Sequence, residues 1–127
     1  MREEIFQSMV ELQQAAEQTE QNIAFVQEQI SDLQEFLQAL DALKKSKEKE
    51  MLAPLGRGVY LKATRADDEK LFVEVGAGVV VRKTPDEAKE VIRSQLRKLR
   101  EAKIQLNIQL ENIIGRLQEL MQIIENE

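Results

Sequence analysis

With 127 residues the chain has the length of one domain, and only 4% are aromatic against 32% charged, a composition of long solvated helices rather than of a thick globular core. Cysteine and histidine are both absent, which excludes a disulfide framework, thiolate chemistry, the usual general base and the commonest metal ligand. The net charge of −5 is unevenly spread: residues 1–43 carry Arg2 against nine acids, so a phosphate backbone is repelled and nucleic-acid binding is not expected.

The first element is a helix. At a 4-3 spacing Ile5, Met9, Leu12, Ala16, Thr19, Ile23, Val26, Ile30, Leu33, Leu37 and Leu40 fall on one seam, and only Thr19 is not apolar. A heptad repeat sustained that long predicts a coiled coil. No glycine or proline interrupts it before Pro54, so residues 1–50 read as one rod about 70 Å long. The basic run from Lys44 to Lys49 falls at its end, where the helix dipole favours cations. Residues 1–6 hold no apolar signal core and no run approaches a membrane span, which predicts a soluble cytoplasmic protein.

Residues 51–83 change character. Short β-branched and aromatic runs alternate with glycine or acidic turns, and four of the five glycines fall here. The reading is a small sheet of about four short strands, with Gly56-Arg57-Gly58 and Gly76-Ala77-Gly78 as strand turns and Asp67-Asp68-Glu69 as a solvated turn. Pro54 cannot donate to a ladder and predicts an edge or an irregular first strand. Val59, Leu61, Leu71, Val73, Val75, Val79 and Val81 are the candidate oligomerisation residues, because a sheet this small has edges to pair or cover.

Residues 84–127 return to a helix. Thr84-Pro85-Asp86-Glu87 offers a capping threonine, a proline at the first helical position and the glutamate of a capping box. Ile92, Leu96, Leu99, Lys103, Leu106, Leu110, Ile113, Leu117, Leu120 and Ile124 then form a second 4-3 seam. Two matched seams joined by a reversing β module predict a mainly α fold, a long antiparallel coiled-coil hairpin with two small β-hairpins at its base. A crude alignment sets Lys103 near Asp32, with Glu28 and Glu35 in reach, so a carboxylate partner is expected. Thr19 and Gly115 mark a weak level of the seam.

Both helices carry more apolar residues than a two-stranded seam buries, and the surplus gathers at their distal ends. Ile5, Phe6, Met9 and Val10 on the first helix and Leu117, Met121, Ile123 and Ile124 on the second form the candidate binding surface. The same surplus also fits a broader seam or a bundle with another copy. No catalytic constellation, metal site or cofactor motif accompanies it, and no enzyme is expected.

The residues of the middle, Leu52-Ala53-Pro54-Leu55-Gly56-Arg57-Gly58-Val59-Tyr60 and Val73-Glu74-Val75-Gly76-Ala77-Gly78-Val79 leading into Val81-Arg82-Lys83-Thr84, resemble the hairpin signatures of prefoldin. Two hairpins rather than one resemble its α class. The resemblance implies a heterohexamer of two α-type and four β-type chains on a joint β-barrel platform. It implies an ATP-independent chaperone that captures non-native clients at coiled-coil tips and delivers them to a group II chaperonin. Glu119, Glu125 and Glu127 are then candidate chaperonin contacts, though these acids equally serve to keep an apolar tip soluble. The competing function is a structural spacer or adaptor that docks one folded partner.

Overall fold

A computed structural model describes residues 1–45, 50–65 and 70–126, with the side chains of Lys44, Lys45 and Val75 outside the description. The acidic turn Asp67-Asp68-Glu69, the basic side chains from Lys44 to Lys49 and Glu127 therefore lie outside the described residues. The elements are α1 (Arg2–Lys45), β1 (Glu50–Gly56), β2 (Val59–Thr64), β3 (Leu71–Gly76), β4 (Val79–Lys83) and α2 (Pro85–Glu125). The fold is mainly α, an antiparallel coiled-coil hairpin with two small β-hairpins. Residues 1–33 with 95–127 make one unit, and residues 34–94 make another.

In the first unit every seam position from Ile5 to Leu33 and from Leu96 to Ile124 is buried or half-buried, while most of their neighbours are exposed. The core is one side chain thick. Thr19, Ile30, Leu96 and Leu120 are its buried members. Thr19 costs the seam little, because its hydroxyl donates to the Ala15 carbonyl at 2.8 Å and needs nothing from the facing helix. Lys103 corrects the sequence reading: its Nζ donates to Oε1 of Gln27 at 2.6 Å rather than to a carboxylate. Gln27 lies on the half-buried flank of the seam, whereas Asp32 and Glu28 point further round towards solvent.

The second unit departs from a single small sheet. β1 pairs only with β2 and β3 only with β4, giving two separate antiparallel two-stranded sheets among the described residues. Each hairpin closes locally. Gly56 faces Val59 and Gly76 faces Val79 across two-residue turns, and a register shift precedes each turn, at Pro54/Gly56 and at Glu74/Gly76. Both central residues of each turn have positive φ, 52° and 77° at Arg57 and Gly58, 50° and 76° at Ala77 and Gly78. That is the type I′ geometry that matches strand twist, and it explains why glycine ends each turn. The same construction is used twice.

Two polar contacts tie this unit together. Lys89 is buried at the start of α2 and forms an ion pair with Asp41 of α1. Arg65, just past β2, donates from Nη2 to the Leu43 carbonyl at 2.9 Å. It thereby satisfies one of the carbonyls that the last turn of α1 leaves without a helical donor.

The capping box at α2 forms as expected from its sequence. The Thr84 amide donates to Oε1 of Glu87 at 3.0 Å, and the Glu87 amide donates to the Thr84 hydroxyl at 3.2 Å. The bond from the Thr84 backbone, then that with its side chain, hold the Glu87 carboxyl below its usual range, with smaller help from Lys83 and Lys70. A depressed carboxyl stabilises the fold above its unfolded pKa and loses that contribution as pH falls through the folded value. Protection of the Thr84, Glu87 and Ala88 amides, taken relative to the intrinsic exchange rate at each pH, is therefore expected to fall on acidification through the carboxylate range. Glu87→Gln, which keeps an acceptor without a charge, is expected to flatten that dependence; an equally steep variant would assign it elsewhere.

Candidate interaction surfaces

The distal ends of α1 and α2 lie in the first unit. Four of the eight candidate residues there, Ile5, Met9, Leu117 and Ile124, are half-buried in the seam. The other four are exposed: Phe6 at 47%, Val10 at 51%, Met121 at 48% and Ile123 at 45%. Leu120, at 4%, closes the seam beneath them. Helical geometry sorts the exposed set, because each residue advances by 100°. Phe6 and Val10 of α1 share a side of the hairpin with Met121 and with Ile114, which is also exposed, while Ile123 projects from the opposite flank of α2. Met121 also borders a shallow depression of about 540 Å³ with Gly115, Gln118 and Gln122, walled by Glu119 and Glu125.

Two carboxylates of α2 border this depression. Glu119 pairs with Arg116 at 2.9 Å along the helix, and Glu125 is exposed in the last turn. Arg2 lies over the Phe6 ring, 5.9 Å from its centroid, and holds one face of that ring. Gly115 leaves open space where a Cβ would sit. Its replacement by alanine is expected to stabilise the helix by about 1 kcal/mol without disturbing a neighbour. Urea unfolding reads this directly, and a destabilised Gly115→Ala variant would mean that the glycine accommodates a close approach.

The second surface is formed by the hairpins. Cross-strand register places Val59 and Leu61 with Met51, Ala53 and Ala63 on one face of the first hairpin. It likewise places Leu71, Val73, Val79 and Val81 on one face of the second. Val59, Leu61 and Val79 are exposed in the single chain, and Leu71, Val73 and Val81 are half-buried; the Val75 side chain lies outside the description. The opposite faces carry Leu52, Pro54 and Tyr60 on the first hairpin and Phe72 and Val80 on the second, all exposed. Arg82 stands 5.8 Å from the Phe72 ring centroid directly across the strands. Among the described residues the four strands have no neighbour beyond their hairpin partner, which leaves four open edges.

Several exposed apolar residues escape the heptad reading. Phe25 and Phe36 lie on a flank of α1, and Leu52, Tyr60, Phe72 and Val80 form the second hairpin faces. Period-2 alternation in the strands carries a signal for the latter. The two phenylalanines give none, since a seam count records only what it buries. No described helix is long and apolar enough to cross a membrane.

Comparison with known proteins agrees with this architecture. A family model described as Prefoldin subunit matches residues 12–127. Prefoldin subunit alpha of Methanococcoides burtonii is 36% identical over 117 residues, covering 91% of this chain and 85% of that protein. The Thermofilum pendens prefoldin subunit alpha is 28% identical over 120 residues, covering 94% and 93%. A chain of filamentous prefoldin from Methanocaldococcus jannaschii superposes with a TM-score of 0.81 at 20% identity, over 91% of this chain and 97% of that one, and shares the fold. With a matching family model over most of its length, relatives of this similarity and two hairpins between its helices, the chain belongs to the prefoldin family as an archaeal-type α subunit.

Proposed function

We propose that this chain works as an ATP-independent holdase subunit whose apolar distal end captures non-native proteins. Prefoldin is a family of chaperones rather than of enzymes, and its subunits act in assemblies with one another. The observation that carries the reading is the exposed set Phe6, Val10, Ile114 and Met121 on one side of a seam whose own residues are buried or half-buried. Capture without ATP needs apolar surface already open to solvent, and this surface is. Its unbranched methionine suits clients of varied shape, and the carboxylates of Glu119 and Glu125 beside it help keep the free surface soluble.

The proposed assembly is a heterohexamer of two α-type and four β-type chains in the cytoplasm, built through the hairpins. The apolar faces bearing Val59, Leu61, Leu71, Val73, Val79 and Val81 are its proposed contacts, Val75 is proposed with them, and neighbouring chains complete the open edges. Delivery to a group II chaperonin is proposed to use Glu119, Glu125 and Glu127. Contacts of exposed carboxylates with a basic surface weaken in salt, so chaperonin affinity that is the same at low and high salt would remove that role.

Light scattering tests the function. The assembled protein is expected to suppress aggregation of several unrelated unfolded proteins without ATP. A spacer or adaptor that docks one folded partner suppresses none.

A further inference from the structure

Along the first unit, α2 exposes a stripe that the hairpin does not use. Arg97, Arg100, Ile104 and Ile108 follow one another at spacings of three, four and four residues, which places them on one helix face. All four are exposed, Ile104 at 58%, and neither arginine takes part in an ion pair among the described residues. α1 carries a stripe of opposite character. Phe25, Glu28 and Asp32 are spaced by three and four, and all are exposed.

The groove of this unit fixes which flanks share a side. Gln29, Asp32 and Leu33 line it from α1, and Gln95, Lys98 and Leu99 line it from α2. Phe25 and Asp32 thus lie on the Lys98 side. At 100° per residue Arg100 and Ile104 lie on the other side. One chain cannot bring its two stripes together.

We propose that the arginine–isoleucine stripe of α2 docks the phenylalanine–carboxylate stripe of α1 from a second copy of this chain. Set antiparallel, the stripes match in order: Ile104 meets Phe25, Arg100 meets Glu28 and Arg97 meets Asp32. Both runs span seven residue steps, about 10.5 Å of helix, so the outer pairs come into register together. Since α1 and α2 are antiparallel within one copy, this pairing lays two copies side by side and running the same way. The contact joins unlike faces, leaves one stripe free at each end and therefore extends beyond a dimer unless it closes. It is independent of client capture at the distal end.

The test is sedimentation of the full chain at low and high ionic strength. Association through this contact is expected to weaken with salt, whereas apolar association through the hairpins does not depend on these charges. Arg97→Glu/Arg100→Glu is expected to weaken low-salt association roughly tenfold, and Glu28→Arg/Asp32→Arg to do the same. Mixing the two variants pairs each reversed stripe with its new complement and is expected to restore association, which also excludes misfolding as the cause of the loss. The proposal is overturned if either variant associates at low salt like the parent, as it would if the stripe served a client or another subunit. It is equally overturned if the mixture fails to recover.

Discussion

Replacing Phe6, Val10, Ile114 and Met121 together by serine is expected to remove most protection of unfolded clients while leaving assembly intact. Each side chain is already about half covered, so complete burial against a client adds about 1 kcal/mol apiece. Four such losses amount to about 4 kcal/mol, near a thousandfold in affinity. The substituted positions are exposed, and serine costs an exposed helix position only about 0.5 kcal/mol, so a helix of 44 residues and one of 41 retain most of their helicity. The seam beneath, with Leu120 buried, is untouched. Light scattering with unfolded clients, circular dichroism and the mass of the assembly are the three readings. A variant that assembles normally and protects clients as well as the parent would place capture elsewhere.

Asp41→Ala is expected to destabilise the second unit far more than neutralising its partner does. The Lys89 side chain is only 10% exposed and its ion-pair partner is Asp41, which is 49% exposed. Removing one partner of a fully buried pair costs ~3–5 kcal/mol, because a charge is left without compensation. Water reaches Asp41 here, so about 2 kcal/mol is the expected loss. Lys89→Met removes the charge along with the pair and fills similar volume, and is expected to change stability by less than about 1 kcal/mol. Chemical denaturation of both variants gives the contrast. Equal effects would mean that the pair contributes through packing rather than charge.

The sequence by itself determined the elements and their ends. Heptad spacing marked the residues that the seam buries, from Ile5 to Leu40 and from Ile92 to Ile124, because helical periodicity is a local property written along the chain. Thr84 and Glu87 announced their reciprocal bonds for the same reason, being three residues apart. The two Gly-x-Gly stretches announced turns, since positive φ at the second central position favours glycine wherever the strands go. The surplus of apolar residues at the distal ends was also legible, as a count exceeding what a two-stranded seam can cover.

What only the tertiary structure decided are the relations between distant residues. Lys103 finds Gln27 instead of a carboxylate because an offset of a turn or so between long helices changes every partner and no single helix records it. Arg65 caps α1 from beyond β2, and Lys89 meets Asp41 across 48 positions, through chain reversals that no local pattern encodes. The strands and their pairing as two hairpins were legible, but whether the hairpins join into one sheet was not, because strand propensity specifies which residues extend and leaves open which neighbour accepts their outer hydrogen bonds. The flanks on which Phe25, Arg100 and Ile104 emerge belong to the same class. A seam defines what faces inward, and the side on which everything else points is settled only when the second helix is in place.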